Sequence, residues 1–267
     1  MKNINGIIFF DVDGTLIDCR KGICDPTEKT KEGIKKLQEA GYLTILATGR
    51  PKSFVTKGIV DLGLDGYITS NGTYIELEDK VILNDEIDKE KLKEILHTCD
   101  KNDIKFLLEG QAKSYMKDLT KEYSKKIIDS FSLPRENITD KWSFDDISVS
   151  KIVVVDNGEE SFKEFMEKFS DEFVFMQHPG QNSYDMYRKN YTKAYGIEYL
   201  IDKLKFDKEK TYAFGDGEND IEMFQMVKYG IAMGDSHERL LPHAYKNTEN
   251  VNNDGIYKAL IDLNLIK

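Results

Sequence analysis

Short, continuously apolar runs alternate with amphipathic segments at both ends of this 267-residue chain. The N-terminal part contains NGIIFFD (5–11), YLTILATG (42–49) and GYITSNG (66–72), and the C-terminal part contains TYAFGD (211–216) and YGIAMG (229–234). Runs that are apolar at nearly every position are typical of parallel strands covered on both faces. Helices between such strands require crossover connections, so the pattern predicts an α/β fold with a Rossmann-like, doubly wound parallel sheet.

The segments between the first strands carry helix signals. Asp25 and Glu28 have the spacing of a capping box. Pro26 suits the first helical position and Gly41 suits the end of the helix. We expect a second helix over PKSFVTKGIVDLGL (51–64).

The middle of the chain has a different pattern. Between residues 83 and 186, lysine-rich amphipathic segments are mixed with short strands and a predicted hairpin through FVFMQHPGQNSYDMYR (173–188). This mixture is expected of an α+β domain. The sequence therefore predicts an α/β core formed by residues 1–82 and 187–267, interrupted by an inserted α+β cap domain at residues 83–186.

The charge balance limits the classes of partner. The chain has 48 acidic and 38 basic residues, a formal charge of −10. Nucleic acids and anionic membranes attract clustered lysine and arginine, so we expect neither as a partner. A phosphorylated substrate stays compatible with this charge, because a bound cation can reverse the local field.

The cysteines and the N-terminal residues help to predict the cellular compartment. Cys19, Cys24 and Cys99 are odd in number and form no C-x-x-C pair, which argues against a disulfide framework and for a reducing environment. The first residues show no signal-peptide pattern, and no apolar run has the length of a membrane span. We expect a cytoplasmic protein.

Two acids stand at the end of the first predicted strand. Asp11 and Asp13, in FFDVDGTLID, are two residues apart and so project from the same face of a strand. The carboxyl end of a parallel strand is where open α/β sheets bind ligands. Gly14 lets the backbone turn sharply there. Taken alone, the motif is equally well explained as a strand-ending turn.

Two further strand ends carry polar residues. LATGR ends its strand on Thr48 and Gly49, and AFGDGEND places Asp216 at a strand end with Asn219 and Asp220 at a helix start. Thr48, Asn219 and Asp220, each taken singly, fit a helix cap. Three such strand ends in one chain indicate a shared ligand site.

Other phosphate- and metal-binding loops do not match. DVDGTL and DGENDI lack the glycine that a calcium-binding EF-hand loop has at its sixth position, and no P-loop motif is present. Together, D-x-D-G-T and G-D-x-x-N-D resemble the haloacid dehalogenase-like phosphohydrolase superfamily. The position of the insertion resembles the Cof-like branch, which has a large α/β cap. The resemblance covers essentially the whole chain.

The resemblance implies roles for the acids. Asp11 would be the nucleophile that forms an aspartyl-phosphate, and Asp13 would be the general acid and then the general base. The implied cofactor is Mg2+, bound by the carboxylates of Asp11 and Asp216 and by the backbone carbonyl of Asp13. Asp220 would complete the metal site or orient the lysine.

The resemblance also implies a phosphate-binding set. Thr48 and the Gly49 amide would hold phosphoryl oxygens, and Lys193 in NYTKAYGIEYL would add positive charge. The family usually has glycine after this lysine, whereas this chain has Ala194. Lys189 is the alternative lysine.

Three more residues are candidates for substrate contact. Asn219 would contact the phosphate or its neighbours. Asn71, in TSNGT, would line the entrance to the site, or is simply a turn residue. Arg50 follows the Thr-Gly pair and would reach an anionic substrate, or forms a structural ion pair.

The function implied is that of a Mg2+-dependent phosphatase acting on phosphomonoesters of small metabolites, such as sugar phosphates or phosphorylated cofactors. The cap would close over the core and select the leaving group. A phosphomutase of the same fold is one alternative. A regulator phosphorylated on aspartate, without catalysis, is another. We expect a monomer or homodimer.

Overall fold

The computed structural model describes residues 4–131, 133–178 and 180–267, so residues 1–3 of the predicted core lie outside it. The described residues form fourteen β-strands: β1 (Gly6–Phe10), β2 (Tyr42–Ala47), β3 (Gly66–Thr69), β4 (Tyr74–Leu77), β5 (Lys80–Asn84), β6 (Lys105–Glu109), β7 (Ser114–Tyr115), β8 (Ile138–Thr139), β9 (Lys151–Val155), β10 (Phe173–Gln177), β11 (Ser183–Arg188), β12 (Thr211–Gly215), β13 (Tyr229–Ala232) and β14 (Lys246–Asn247). They also form eight α-helices: α1 (Glu28–Glu39), α2 (Lys57–Val60), α3 (Lys89–Lys101), α4 (Glu122–Ser130), α5 (Glu160–Phe169), α6 (Lys193–Leu204), α7 (Ile221–Met226) and α8 (Gly255–Asp262).

The chain folds into two compact units. The first unit comprises the chain up to Gly49, Val55–Asn84 and Thr192–Lys267, and the second comprises Arg50–Phe54 and Asp85–Tyr191. The first unit extends past residue 82 because β5 pairs with β4 as far as Asn84. The second unit extends past residue 186 because β11 continues to Arg188 and the Tyr191 hydroxyl hydrogen-bonds to Asp85.

The first unit is built on an eight-stranded sheet in the order β14-β13-β12-β1-β2-β3-β4-β5. The strands from β14 to β3 are parallel, and β3, β4 and β5 form an antiparallel meander at the other end. This is the predicted α/β architecture, with β1 in the middle of the sheet.

The apolar composition of β1 reflects the burial of the sheet on both faces. All five of its residues are buried. Ile8 and Phe10 pack in a cluster with side chains of α1 and α8, while Ile7 and Phe9 pack in a second cluster with side chains of α6 and α7. Successive residues of a strand point to opposite faces, so a strand between two helical layers must be apolar throughout.

The start of α1 differs from the sequence prediction. The cap is Thr27, whose Oγ1 accepts a hydrogen bond from the Thr30 backbone N–H at 3.2 Å, so the predicted Asp25–Glu28 capping box is wrong. Thr27 satisfies an N–H of the first turn in the same way that an aspartate would. The end of the helix is as expected, since Gly41 follows it with φ +81°.

Residues 51–64 do not form the single helix that was predicted. They contain a short 3-10 turn at Lys52–Phe54 and the one-turn helix α2. The apolar side chains of this segment are divided between two hydrophobic cores. Phe54 packs in the core of the second unit, whereas Val55 and Ile59 pack in a core of the first. One amphipathic helix face cannot supply both.

The second unit has a six-stranded sheet in the order β10-β11-β9-β6-β7-β8. Helices α3 and α5 cover one face, where they pack on residues such as Ile152 and Val154, and α4 packs with Val153 on the other. The predicted hairpin is confirmed as the antiparallel pair β10 and β11. The inserted segment is therefore α+β, as expected.

Among the described residues, we find no helix that combines the length and the apolar character needed to traverse a bilayer.

Candidate active site

Three neighbouring strands of the first unit end at one edge of its sheet. β12, β1 and β2 lie side by side and run parallel. Asp11 directly follows β1, Thr48 follows β2, and Asp216 follows β12. Residues that are far apart in the sequence are thereby placed at the ligand-binding edge of an α/β sheet.

A buried lysine links two of the acids. Lys193 is the first residue of α6 and is only 2% exposed. Its Nζ donates hydrogen bonds to Asp11 Oδ1 at 2.5 Å and to Asp220 Oδ1 at 2.7 Å. Ala194 is buried within the same regular helix, so the glycine usual in the family is not needed for the helix to start. Lys189 is exposed and belongs to the second unit.

Asp220 organises the loop after β12. It is fully buried, and its Oδ2 accepts hydrogen bonds from the backbone N–H groups of Asp216 and Gly217, both at 3.0 Å. Its other oxygen holds Lys193. One carboxylate therefore fixes both the loop that carries Asp216 and the lysine that touches Asp11.

Gly14 permits the close approach of this loop. It has φ +82°, and a Cβ at this position would lie 2.1 Å from Asp216 Oδ2. A larger residue would be strained by its backbone and would displace the Asp216 carboxylate. The glycine of D-x-D-G-T thus brings the turn after β1 against the acid after β12.

Burial shapes the electrostatics of these acids. It raises the pKa of Asp11 well above its usual range, and the neighbouring Lys193 offsets only part of that effect. It also raises the pKa of Asp216 to about 7, with the nearby charge of Asp220 acting in the same direction. Holding Asp11 and Asp216 ionised therefore requires more positive charge than one lysine supplies.

The donor set fits a divalent cation. Asp11, Asp216 and Asp220 each offer an oxygen, and these atoms lie within 4.8 Å of one another. Hard cations such as Mg2+ prefer carboxylate oxygens, and a cation here would supply the missing positive charge. The residues present thus fit the magnesium that the sequence implied.

Two of the residues predicted to bind phosphate, Thr48 and Gly49, directly follow β2, and Asn71 lies beside them. Thr48 is 2% exposed, and its N–H donates to the Ile68 carbonyl at 2.9 Å. Asn71 has a left-handed backbone with φ +56°, and its N–H donates to the Thr48 carbonyl at 3.3 Å. Its Oδ1 lies 2.9 Å from where a Cβ on Gly49 would stand, so the asparagine lies directly beside Gly49.

The remaining predicted residues are Asp13, Asn219 and Arg50. Asp13 and Asn219 are exposed in the loops after β1 and β12. Arg50 belongs to the second unit, where its guanidinium donates to the Phe54 carbonyl at 3.1 Å.

One loop beside the acids was overlooked at the level of sequence. Arg20 donates to the buried Asp18 at 3.2 Å and interacts electrostatically with Asp13 and Asp216. Nothing in its spacing singles it out, since only the folded loop brings it near these acids. Cys19 and Cys24 flank it and form a disulfide, a pairing that the sequence did not predict. The folded loop brings their Cα atoms to 4.6 Å, within bonding reach.

Comparison with known proteins agrees with this geometry. The sequence profile of the haloacid dehalogenase-like hydrolases matches residues 8–260. A protein of Bacillus subtilis (strain 168) named "Putative phosphatase YkrA" is 29% identical over 267 residues, which is 98% of each chain.

Solved structures show the same architecture. A hypothetical protein of Geobacillus kaustophilus HTA426 superposes with a TM-score of 0.87 at 28% identity, over 98% of this chain and 100% of that one. The HAD subclass IIB sugar phosphatase BT4131 superposes with a TM-score of 0.77 at 27% identity, over 98% and 100% of the two chains. With its profile match, its strand-end acids and its inserted α+β domain, the chain belongs to the haloacid dehalogenase-like hydrolases, in their Cof-like branch of phosphatases.

Proposed function

We propose that this protein is a Mg2+-dependent phosphatase that hydrolyses phosphomonoesters of small metabolites through an aspartyl-phosphate on Asp11. The observation that carries the proposal is the buried Lys193, which holds Asp11 and Asp220 at 2.5 and 2.7 Å beside a third acid, Asp216. This arrangement concentrates a nucleophile, a fixed cation and a cation-binding acid cluster at one sheet edge.

Asp11 acts as the nucleophile in this proposal. Its carboxylate attacks phosphorus and the ester oxygen leaves, so that one difficult step is divided into two easier ones. The Lys193 ammonium favours the ionised, attacking form of Asp11 and lies close enough to stabilise negative charge on the phosphoryl oxygens.

Asp13 moves the proton. It protonates the departing oxygen, and as a carboxylate it then takes a proton from the water that hydrolyses the aspartyl-phosphate. Its exposure, in contrast to the burial of Asp11, is compatible with exchange of protons with water.

The proposed magnesium ligands are the carboxylates of Asp11 and Asp216 and the backbone carbonyl of Asp13. When bound, the cation offsets the repulsion between the phosphoryl oxygens and the acids. Asp220 was a candidate ligand as well. Both of its oxygens already accept hydrogen bonds from the protein, which favours the orienting role for it.

Polar groups after β2 and β12 would bind the phosphoryl group. We assign this role to Thr48, the Gly49 amide and Asn219, together with Lys193. Asn71 adjoins Gly49 and would border the same group, whereas Arg50 is a candidate for contact with the rest of the substrate.

A sugar phosphate or a phosphorylated cofactor is the proposed substrate. The likeness to the sugar phosphatase BT4131 supports the first of these. Such a substrate fits the cytoplasmic location predicted from the sequence, and it requires neither nucleic acid nor a membrane as partner.

The test is phosphate release from a panel of phosphorylated metabolites and an aryl phosphate. It is run with Mg2+, with a chelator and with Asp11→Asn. We expect turnover to require both Mg2+ and Asp11, and the variant to lose at least about 10⁴-fold in kcat. Asp202→Asn, a change of an exposed carboxylate on α6, is the matched control.

Two results would contradict the proposal. An Asp11→Asn variant as active as the control would exclude Asp11 as nucleophile. Loss of substrate without matching release of phosphate would indicate the phosphomutase alternative, because the phosphoryl group would have returned to an organic acceptor.

A further inference from the structure

A tight hairpin follows the turn that carries the first acids. Gly14 N–H donates to the Ile17 carbonyl at 2.7 Å, and the chain then doubles back. Asp18 and Ile23 exchange two backbone hydrogen bonds of 2.8 and 3.0 Å, and Gly22 makes the turn with φ +79°. The loop is thus a built element with a defined backbone.

Two further links hold this hairpin, residues 18–24. The Cys19–Cys24 disulfide closes its base. At its tip, Lys21 forms an ion pair with Asp235, in the loop that follows β13. The hairpin is therefore tied to its own base and to a neighbouring loop of the same unit.

A buried acid inside the hairpin orients an exposed cation. Asp18 is only 4% exposed. Its Oδ1 accepts a hydrogen bond from Arg20 Nε at 3.2 Å, and Lys21 Nζ lies 3.6 Å from its Oδ2. Because an unpaired buried carboxylate is costly, the ion pair with Asp18 restricts where the guanidinium can lie.

The guanidinium interacts electrostatically with acids of the proposed site. Arg20 has 76% of its side chain exposed. The hydrogen bond to Asp18 raises the pKa of Arg20, and attraction to Asp216 and Asp13 acts in the same direction. An ion pair so exposed contributes little to stability, so stability alone does not explain this arrangement.

From this geometry we infer that Arg20 binds a second anionic group, a carboxylate or a second phosphate, on the leaving portion of the substrate, and that Asp18 positions it. The inference rests on the proposed phosphatase function. The surplus of acids at the sheet edge repels an anionic leaving portion, and a fixed cation beside them offsets that repulsion. Asp18 engages one of the five N–H donors of Arg20, and the guanidinium fork matches two oxygens of a carboxylate or phosphate.

Two matched substrate pairs test the inference. In the first, 3-phosphoglycerate is compared with glycerol 3-phosphate, which differ by a carboxylate. In the second, fructose 1,6-bisphosphate is compared with fructose 6-phosphate, which differ by a phosphate. In at least one pair, we expect wild-type enzyme to show the higher kcat/KM for the member that carries the second anionic group. The pair that shows this preference identifies whether Arg20 binds a carboxylate or a phosphate.

Arg20→Gln should lower that preference by about 10- to 100-fold, the effect of losing a hydrogen bond between charged groups. Asp18→Asn should lower it less and mainly by raising KM, because it leaves the guanidinium present but poorly oriented. Arg135→Gln, which removes an exposed arginine paired with Asp129 in the second unit, is the control and should leave the preference unchanged.

The outcomes separate this inference from the proposed function. A wild-type preference below about twofold in both pairs, or an equal preference in Arg20→Gln and wild type, overturns the role of Arg20. An unchanged preference in Asp18→Asn overturns the positioning role. Failure of wild-type enzyme to release phosphate from any substrate, the aryl phosphate included, overturns the proposed function itself.

Discussion

Each of the two units contains a buried lysine between two carboxylates. In the first unit, Lys193 lies between Asp11 and Asp220. In the second, Lys151 lies 3.0 Å from Glu109 and 2.9 Å from Asp185. Burial alone would lower the pKa of both lysines, and in both cases the paired acids more than reverse it.

The two clusters differ in their backbone and their charge balance. Lys151 and Glu109 are cross-strand partners within a β ladder, and His178 lies 3.2 Å from Asp185. The residues around Lys193 instead follow strand ends, where Asp216 adds a further acid. Burial of a lysine therefore does not mark a reactive centre by itself. A surplus of acids on loops at a sheet edge is what distinguishes the proposed active site from an ion-pair cluster of the second unit.

After Asp11, the largest expected effect concerns Asp13, an exposed acid of the first unit. Asp13→Asn should lower kcat by about 10²- to 10⁴-fold, because the amide cannot exchange the proton with the leaving oxygen and the water. Steady-state phosphate release, together with circular dichroism to verify folding, measures this. Unchanged hydrolysis would show that another group moves the proton.

In the second unit, removing the buried lysine should change the stability of the protein. Lys151→Met leaves Glu109 and Asp185 buried without their shared cation, and should lower the free energy of unfolding by about 3–5 kcal/mol. Urea denaturation measures the loss, with Lys163→Met, at an exposed ion pair, as control. A loss no larger than that of the control would mean that the buried cluster is not a structural one.

In the first unit, removing the buried lysine should instead lower the rate of catalysis. Lys193→Met should lower kcat by about 10²- to 10³-fold, since a fixed positive charge beside the phosphoryl oxygens is removed. The kcat of folded Lys151→Met should stay within about threefold of wild type, as for a change away from the chemistry. Equal losses of kcat in the two variants would abolish the distinction between the clusters.

The smallest expected effect is the pH dependence of stability that Glu109 causes in the second unit. Burial raises the pKa of Glu109 to about 7 from the ordinary 4.5, although Lys151 acts against this. Between these two values the folded state binds more protons than the unfolded state. The free energy of unfolding therefore falls as pH rises from about 4.5 to 7, by up to about 3 kcal/mol.

Glu109→Gln removes this titration, so the stability of the variant should decline less than that of wild type over the same interval. The decline that remains comes from Asp11 and Asp216, whose pKa values burial also raises. Urea midpoints at several pH values compare the two proteins. Parallel curves for wild type and variant would mean that Lys151 keeps Glu109 ionised throughout.

Much of the fold followed from local patterns. The five apolar runs became β1, β2, β3, β12 and β13, because a strand covered on both faces must be apolar at successive positions. The cap of α1 was predicted wrongly because the side chains of Thr27 and Asp25 both offer an oxygen that can accept a hydrogen bond from an N–H of the first turn. Residues 51–64 were misassigned because their apolar side chains belong to two cores, which no single-segment pattern reveals.

The sequence by itself determined the α/β class, the inserted α+β segment and the motifs that place acids at strand ends, since these depend on residues near each other in the chain. Only the tertiary structure decided which charges meet. Lys193 contacts an acid 182 positions away, Lys151 joins Glu109 to Asp185, and Arg20 interacts electrostatically with acids from two loops. Such pairings depend on strand order and register rather than on local composition, so no pattern along the chain encodes them directly.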